Sequence, residues 1–190
     1  MTLELAILAV ITALTTHTTD RTEPKSAREA RLTMAAESVA HACKGDVKCS
    51  AALLTIMTAE SEWAGYVGRG ECTKGPVGAR CDLGKDGKPR AWGYPQVWTS
   101  AAKACKAAHD DALPLPARHD AAAICARDRW NAGMKACVGK LDGAFRYYHR
   151  GACLVDERSE KPKYSQEMAR RVKMVGEFER KLHTARKAGQ

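Results

Sequence analysis

Eight cysteines limit the fold of this 190-residue chain more than any other feature of its sequence. Their number is even, and no two of them have the C-x-x-C spacing typical of zinc or redox sites. The sequence therefore predicts four disulfides and an oxidising compartment, with reduced, buried thiols as the alternative. Two pairs are close enough along the chain for local bridges, Cys43 with Cys49 and Cys72 with Cys81. The remaining cysteines are Cys105, Cys125, Cys137 and Cys153.

The chain is strongly basic, with a formal net charge of +9 spread along its length. Such a balance favours a polyanionic partner, for which nucleic acid, an anionic membrane and the bacterial cell wall are the candidates. Aromatic residues are few, and no run of Arg and Lys is dense enough for a nucleic-acid-binding arm. No histidine stands at metal-ligand spacing from a cysteine pair, so we expect no metal and no cofactor.

The sequence divides into an N-terminal segment, residues 1–26, and a main domain, residues 27–190. The segment contains an apolar stretch of ten residues, 5–14, which is too short to span a bilayer comfortably. This stretch is either a signal or export segment, or a short helix or membrane-proximal anchor. A Thr-rich linker that contains Pro24 follows it.

The main domain shows helical periodicity and no strand-like alternation of any length, so the predicted fold class is mainly α. Residues 64–92 differ, because they are rich in glycine and charge and have no period. We expect a long loop there, with a small hairpin at residues 84–87, stapled by disulfides. Pro114 and Pro116 should separate two helices. The predicted helices cover residues 27–42, a segment ending at Glu60, 99–108, 117–132, 142–148 and 164–182.

Glu60 is a carboxylate at an unusual position, because it follows the apolar run 51–59. On a helix it shares one face with Leu53, Ile56 and Met57, and Trp63 falls on the same face three residues later. Burial beside apolar groups disfavours the charged form, so we expect a raised pKa for Glu60. A carboxylic acid of that kind can donate a proton near neutral pH.

Four short motifs follow one another along the chain. They are AESEW at residues 59–63, WGYPQVW at 92–98, FRYYHRG at 145–151, and Tyr164 before the last amphipathic helix. The first motif ends a predicted helix, and the second is expected at the start of the next helical region.

This ordered set resembles the soluble lytic transglycosylase and goose-type lysozyme families of the lysozyme superfamily. Their signature is a Glu-Ser pair that ends a helix, then Gly-x-x-Gln, then Ala-Tyr-Asn-Ala-Gly, then a Tyr before a C-terminal helix. The similarity covers roughly residues 45–182. The chain departs from the pattern at Pro95, which lacks a backbone donor, and at His149 and Arg150, where the family has Asn and Ala.

The resemblance implies a single lysozyme-like domain that cleaves the β-1,4 bond between MurNAc and GlcNAc in peptidoglycan, with Glu60 as general acid and base. In the family a hydroxyl of the sugar itself can attack, which gives an anhydro product without a second carboxylate. We expect this lytic transglycosylase reaction, whereas hydrolysis by water would need Asp82 or Asp86 as the second carboxylate. The implied substrate-binding residues are Ser61, Tyr94, Gln96, Tyr148, His149 and Tyr164.

The expected partner is the peptidoglycan glycan strand, with no nucleic acid and with transient wall or membrane association through the positive charge. We expect a monomer that is exported, either periplasmic or extracellular, or that is phage-associated. Two other classes stay open. One is a non-catalytic, basic cell-wall-binding protein with the same fold. The other is a disulfide-rich basic module that binds nucleic acid or membrane and performs no chemistry.

Individual residues of the motifs also have structural alternatives. Gln96 could be a turn amide rather than a sugar ligand, and Tyr148 could be a core residue. Trp63, Trp92 and Trp98 flank the motifs, where they could stack on sugar rings or pack in the core.

Overall fold

The structure of the protein is a computed structural model that describes residues 1–15, 23–68, 90–98, 102–153 and 162–189. Within these ranges the protein is mainly helical, as predicted. The helices are α1 (Leu3–Thr15), α2 (Lys25–Cys43), α3 (Val47–Ser61), α4 (Gly65–Gly68), α5 (Lys103–Ala108), α6 (Leu115–Ala136), α7 (Leu141–Arg150) and α8 (Pro162–Ala188), and the strands are β1 (Ala91–Trp92) and β2 (Val97–Trp98).

The N-terminal apolar stretch forms helix α1, which packs against α2 and α8. The apolar core of the protein crosses the predicted boundary between residues 26 and 27, because Ile7 of α1 and Leu32 of α2 belong to the same core cluster. The buried positions of α1 follow the i, i+3, i+4 pattern of one helix face. They are Leu3, Ala6, Ile7, Val10 and Ile11.

Helix α3 lies at the centre of the fold. The Asp46 carboxylate caps its start by accepting hydrogen bonds from the backbone N–H groups of Lys48 at 2.8 Å and Cys49 at 3.1 Å. Residues 50–57 are all buried, since α2, α6 and α8 pack around them. Residues 58–60 are partly exposed. The last turn of α3 therefore brings Glu60 to the place where a buried helix reaches the surface.

The second motif forms a short hairpin rather than the start of a helix. Strands β1 and β2 pair antiparallel, with Ala91 opposite Trp98 and Trp92 opposite Val97. The turn between them needs left-handed backbone at Gly93 (φ 69°) and Gln96 (φ 49°). Each strand has two residues, which is too short to show the alternation that identifies strands in a sequence.

Helix boundaries differ from the prediction at α6 and at α8, which continues to Ala188, six residues beyond its predicted end at residue 182. Pro116 lies in the first turn of α6 and does not separate it from the preceding segment, because a proline at that position loses no intrahelical hydrogen bond. The helix begins after Pro114 and continues to Ala136, four residues beyond the predicted end at residue 132.

Three disulfides connect the described helices. Cys43–Cys49 closes the turn between α2 and α3, and this local pair was predicted correctly. Cys105–Cys125 ties α5 to α6, and Cys137–Cys153 ties the end of α6 to the segment after α7.

The remaining sequence-based expectations for residues 69–89 lie outside the described residues. These are the disulfide between Cys72 and Cys81, the hairpin at residues 84–87, and the carboxylates Asp82 and Asp86. Across the part of the chain that the structure describes, no helix is long and apolar enough to cross a membrane.

Candidate active site

A tight left-handed turn follows Glu60 and fixes the end of helix α3. Glu62 caps the helix with φ 47°, and Trp63 follows with φ 60°. Such backbone is uncommon for residues other than glycine. The Ser61 hydroxyl stabilises this turn, because it donates to the carbonyl of Met57 at 2.6 Å and accepts from the backbone N–H of Trp63 at 3.2 Å. Ser61 is fully buried, so its role here is to shape the backbone beside Glu60.

The Trp63 indole lies in the core and does not continue the face of α3. Helix α3 ends at Ser61, so the helical spacing that links Glu60 to Trp63 in the sequence stops before Trp63 is reached. The indole Nε1–H donates to the Thr58 hydroxyl at 2.9 Å. Its ring packs against Tyr94 with the ring centroids 5.1 Å apart.

The Glu60 carboxylate is held by two basic side chains from other helices. Oε1 accepts a hydrogen bond from Nη1 of Arg171, on α8, at 2.7 Å. Nε2 of His149, on α7, lies 3.0 Å from the same oxygen. The exposed fractions of the side chains are 15% for Glu60, 33% for His149 and 2% for Arg171. The site is therefore a small ionic cluster that opens to solvent on the His149 side.

The expected rise in the Glu60 pKa is wrong, because the pKa lies below its ordinary value. Burial is the largest single effect and raises the pKa, but the hydrogen bonds and charges of His149 and Arg171 together outweigh it. The negative charge of Glu60 in turn helps to raise the pKa of Arg171. The carboxylate is therefore ionised at neutral pH in the free protein.

Tyr148 connects helix α7 to the hairpin. Its hydroxyl donates to the backbone carbonyl of Pro95 at 2.8 Å. Burial raises the pKa of this phenol, and the negative charge of Glu60 raises it further. The side chain is buried, so Tyr148 acts as a core residue that sets the position of the hairpin relative to Glu60.

Tyr164 lies next to His149 at the start of α8. The two ring centroids are 6.3 Å apart and the rings meet edge to face. The Arg150 guanidinium stacks on the Tyr164 ring at 4.0 Å from its centroid. Burial raises the pKa of the Tyr164 phenol. Its hydroxyl is buried and has no hydrogen-bond partner among the residues that the structure describes.

Tyr94 and Gln96 make contacts that stabilise the hairpin and its surroundings. Tyr94 is fully buried, and its hydroxyl accepts a hydrogen bond from Arg31. The Gln96 side-chain amide donates to the Gly93 carbonyl at 2.8 Å, and the Gln96 backbone N–H donates to the same oxygen at 3.0 Å. In this arrangement Gln96 is a turn amide.

The tryptophans of the second motif differ in exposure. Trp92 is buried beneath the Arg118 guanidinium, which lies 4.4 Å from the ring centroid. Trp98 is 47% exposed at the end of β2. Of the three tryptophans near the motifs, Trp98 is therefore the one whose ring could stack on a sugar, since Trp63 is also buried.

The structure thus brings Glu60, Tyr148, His149 and Tyr164 into one region, whereas Ser61 and Tyr94 are buried supports. The residue of this candidate site that sequence reasoning missed is Arg171, which pairs with Glu60. A signal for it existed, because Arg171 shares a helix face with the buried residues Met168 and Val175 at spacings of three and four. Within the described ranges, no group of three His, Cys, Asp or Glu side chains could hold a metal ion.

No family model, curated protein or solved structure matches this chain.

Proposed function

We propose that this protein cleaves the β-1,4 glycosidic bond between MurNAc and GlcNAc in peptidoglycan, with Glu60 as general acid and base. The observation that carries the proposal is the contact between Glu60 and His149, 3.0 Å apart. These residues come from two motifs that are far apart in the sequence and that resemble motifs of one glycosidase superfamily. Tyr148 and Tyr164, from the third and fourth motifs, lie beside them.

The lowered pKa of Glu60 sets a condition on this mechanism. A general acid must carry a proton when the glycosidic oxygen leaves, but Glu60 is ionised in the free protein. In the proposed reaction, a glycan that enters beside Glu60 displaces the half-exposed His149 ring and excludes water. Both changes favour the protonated carboxyl, because the contact with His149 that stabilises the carboxylate is lost and burial increases. Glu60 then protonates the leaving oxygen and afterwards accepts a proton from the attacking hydroxyl.

Transglycosylation is the reaction we propose, and hydrolysis is its main alternative. Attack by the sugar's own hydroxyl needs no second carboxylate, whereas attack by water needs one across the cleft. The sequence offers Asp82 and Asp86 for that role. Glu167 adds a candidate within the described region, because Arg171 donates to Glu167 Oε1 at 2.6 Å as well as to Glu60.

Digestion of purified peptidoglycan tests the proposal. Wild-type protein and the Glu60→Gln variant are incubated with it, and the soluble fragments are identified by mass spectrometry. The matched control is Glu37→Gln, the same chemical change at an exposed position of α2. Fragments with anhydro-muramyl ends from wild type and Glu37→Gln, and none from Glu60→Gln, are the expected result.

The other outcomes separate the alternatives. Reducing ends would indicate hydrolysis and direct mutagenesis to Asp82, Asp86 and Glu167. An absence of fragments from folded, oxidised wild-type protein would contradict the enzymatic proposal.

A non-catalytic, basic cell-wall-binding protein is the second candidate function, and the ion pairing of Glu60 favours it. A carboxylate held by Arg171 and His149 is also suited to a purely structural role, in which it joins α3, α7 and α8. If this candidate is correct, the protein should sediment with insoluble peptidoglycan, and salt should release it because its net charge is +9. Wild type and Glu60→Gln should then bind equally well. The disulfides fit an exported protein under either candidate.

A further inference from the structure

A buried arginine outside the four motifs joins three segments of the chain. Arg31, on α2, donates from Nη1 to the backbone carbonyl of Trp63 at 3.2 Å and to the Tyr94 hydroxyl. Its Nε and Nη2 donate to the two carboxylate oxygens of Glu23, at 2.9 and 2.6 Å. The N–H groups of a guanidinium point in fixed, diverging directions, so one side chain can contact all three partners at once.

The ion pair between Arg31 and Glu23 is almost completely buried, because the exposed fractions of the two side chains are 6% and 5%. Burial by itself lowers the pKa of Arg31, but the interactions with Glu23 and Tyr94 raise it above its ordinary value, so the guanidinium is charged. Two parallel hydrogen bonds to one carboxylate set both the distance and the angle of the pair. Glu23 therefore fixes the direction in which Arg31 presents its third nitrogen, Nη1.

The contacts of this arginine fix the hairpin from one side. Arg31 binds the Tyr94 hydroxyl from α2, and the Tyr148 hydroxyl binds the carbonyl of the next residue, Pro95, from α7 at 2.8 Å. Tyr94 is fully buried, and its ring packs against the Trp63 ring with the centroids 5.1 Å apart. The turn of the hairpin is therefore fixed between α2 and α7, and Arg31 provides the contact on the α2 side.

The other contact of Nη1 reaches the turn that follows Glu60. The Trp63 carbonyl belongs to that turn, three residues after Glu60, where the backbone is left-handed with φ 60°. Arg31 thus joins the end of α3 directly to the hairpin. Loss of this connection would let the two move relative to each other, and a displacement of about 1 Å at an active site can lower the rate about 10²-fold.

We infer that Arg31 is a positioning residue of the proposed active site, which keeps the hairpin and the turn after Glu60 in a fixed relative position, and that Glu23 orients Arg31 for this role. The inference rests on the proposed function. Neither side chain is exposed enough to contact a glycan. Both residues precede residue 45, where the resemblance to the lysozyme superfamily begins, so this network is a feature of the chain outside its four motifs.

Two variants weaken the network at different points. Glu23→Gln removes the charge that orients Arg31 and preserves the size of the side chain. Tyr94→Phe removes only the hydroxyl that accepts from Arg31. The control is Arg127→Met, because Arg127 also donates to a backbone carbonyl, that of Ala42 at 2.7 Å. That contact lies about 16 Å further along α2 from Arg31.

The rate of glycan cleavage is measured for each folded variant well below its Tm. We expect kcat to fall about tenfold or more in Glu23→Gln and in Tyr94→Phe, with KM changed by less than about threefold, because the reacting geometry is disturbed while the groups that bind glycan remain. Arg127→Met should lose stability and keep its kcat. A lower Tm with an unchanged kcat in Glu23→Gln and Tyr94→Phe would indicate a purely structural role and overturn the inference.

Hydrogen exchange measured by mass spectrometry needs no substrate, so it separates the failure of this inference from the failure of the proposed function. The reporters are the backbone N–H of Trp63, which donates to the Ser61 hydroxyl, and that of Gln96, which donates to the Gly93 carbonyl. Glu23→Gln should speed exchange in peptides that cover these groups and leave the C-terminal half of α6 unchanged.

Two combined outcomes are decisive. Faster exchange in Glu23→Gln, without cleavage of glycan by the wild type, would support the role of Arg31 in positioning the hairpin and contradict the glycosidase. Cleavage by the wild type, with unchanged exchange in Glu23→Gln, would support the glycosidase and contradict the role of Arg31.

Discussion

Replacing Arg171 with methionine removes the cation that joins Glu60 to Glu167 while preserving most of the side-chain volume. In the native protein Arg171 donates to Glu60 at 2.7 Å and to Glu167 at 2.6 Å, and its side chain is 2% exposed. Breaking a buried ion pair by removing one partner leaves an uncompensated charge inside the protein. Arg171→Met should therefore destabilise the protein at neutral pH.

The structure sets the size of this effect. Removal of one partner of a buried pair costs about 3–5 kcal/mol. The lower end of that range applies here, because Glu60 and Glu167 are 15% and 44% exposed and water partly replaces the lost cation. We expect a loss of about 3 kcal/mol in the free energy of unfolding at pH 7. For a protein of this size that corresponds to a decrease of about 6–12 °C in Tm.

The pH dependence has a definite sign. The folded-state pKa of Glu60 lies below the ordinary value of 4.5. The pairing of Glu60 therefore stabilises the native protein above pH 4.5 and is lost as the pH falls through the folded-state pKa. Without Arg171, the unpaired carboxylate takes up a proton more readily. The stability difference between wild type and Arg171→Met should thus be largest at neutral pH and should shrink below pH 4.5.

Urea unfolding followed by circular dichroism at pH 7 and at pH 4 measures this difference, since urea does not screen charges. Arg180→Met, at an exposed position of the same helix, is the control and should change stability by less than about 0.5 kcal/mol. A loss below 1 kcal/mol for Arg171→Met at pH 7, or an equal loss at both pH values, would refute the reasoning about this ion pair.

Two further stability predictions follow from single contacts. Tyr148→Phe removes the buried hydrogen bond to the Pro95 carbonyl and should lower the free energy of unfolding by about 1–2 kcal/mol in urea; an unchanged midpoint would contradict that bond. Replacing Cys105 and Cys125 by serine opens a disulfide with a sequence separation of 20, which should cost roughly 3 kcal/mol by loop entropy. Differential scanning calorimetry measures that loss, and a Tm within 2 °C of the wild type would exclude it.

Regular helices and the local disulfide could be predicted because they depend on near neighbours in the sequence. Helix α2 follows from apolar periodicity, and its end is marked by the Cys43–Cys49 bridge and the left-handed Lys44. The hairpin could not be recognised, because its strands pair over only two residues each. Its turn depends on the left-handed backbone of Gly93 and Gln96, and Tyr148 contacts it from a distant helix.

The ionisation of Glu60 shows where reasoning from one helix fails. The apolar face of α3 correctly indicated burial, and burial does raise the pKa of Glu60. His149 on α7 and Arg171 on α8 together lower the pKa of Glu60 by more than burial raises it. Their contacts with Glu60 depend on tertiary packing, which one helix does not reveal. Glu60 and Arg171 are opposite charges that each interrupt an apolar helix face. Two such interruptions in one sequence predict a buried ion pair, which neither predicts alone.

The pH dependence of glycan cleavage tests the central proposal most directly, with soluble strand fragments as substrate and the release of anhydro ends as the measured rate. Because kcat/KM reports the free enzyme, it should fall tenfold per pH unit above the lowered pKa of Glu60. The kcat limb should lie at higher pH, since bound glycan favours the protonated carboxyl. His149→Gln should move the kcat/KM limb to higher pH. Rates that do not change with pH, limbs that His149→Gln leaves in place, or an absence of cleavage would contradict the account of Glu60 as the catalytic acid.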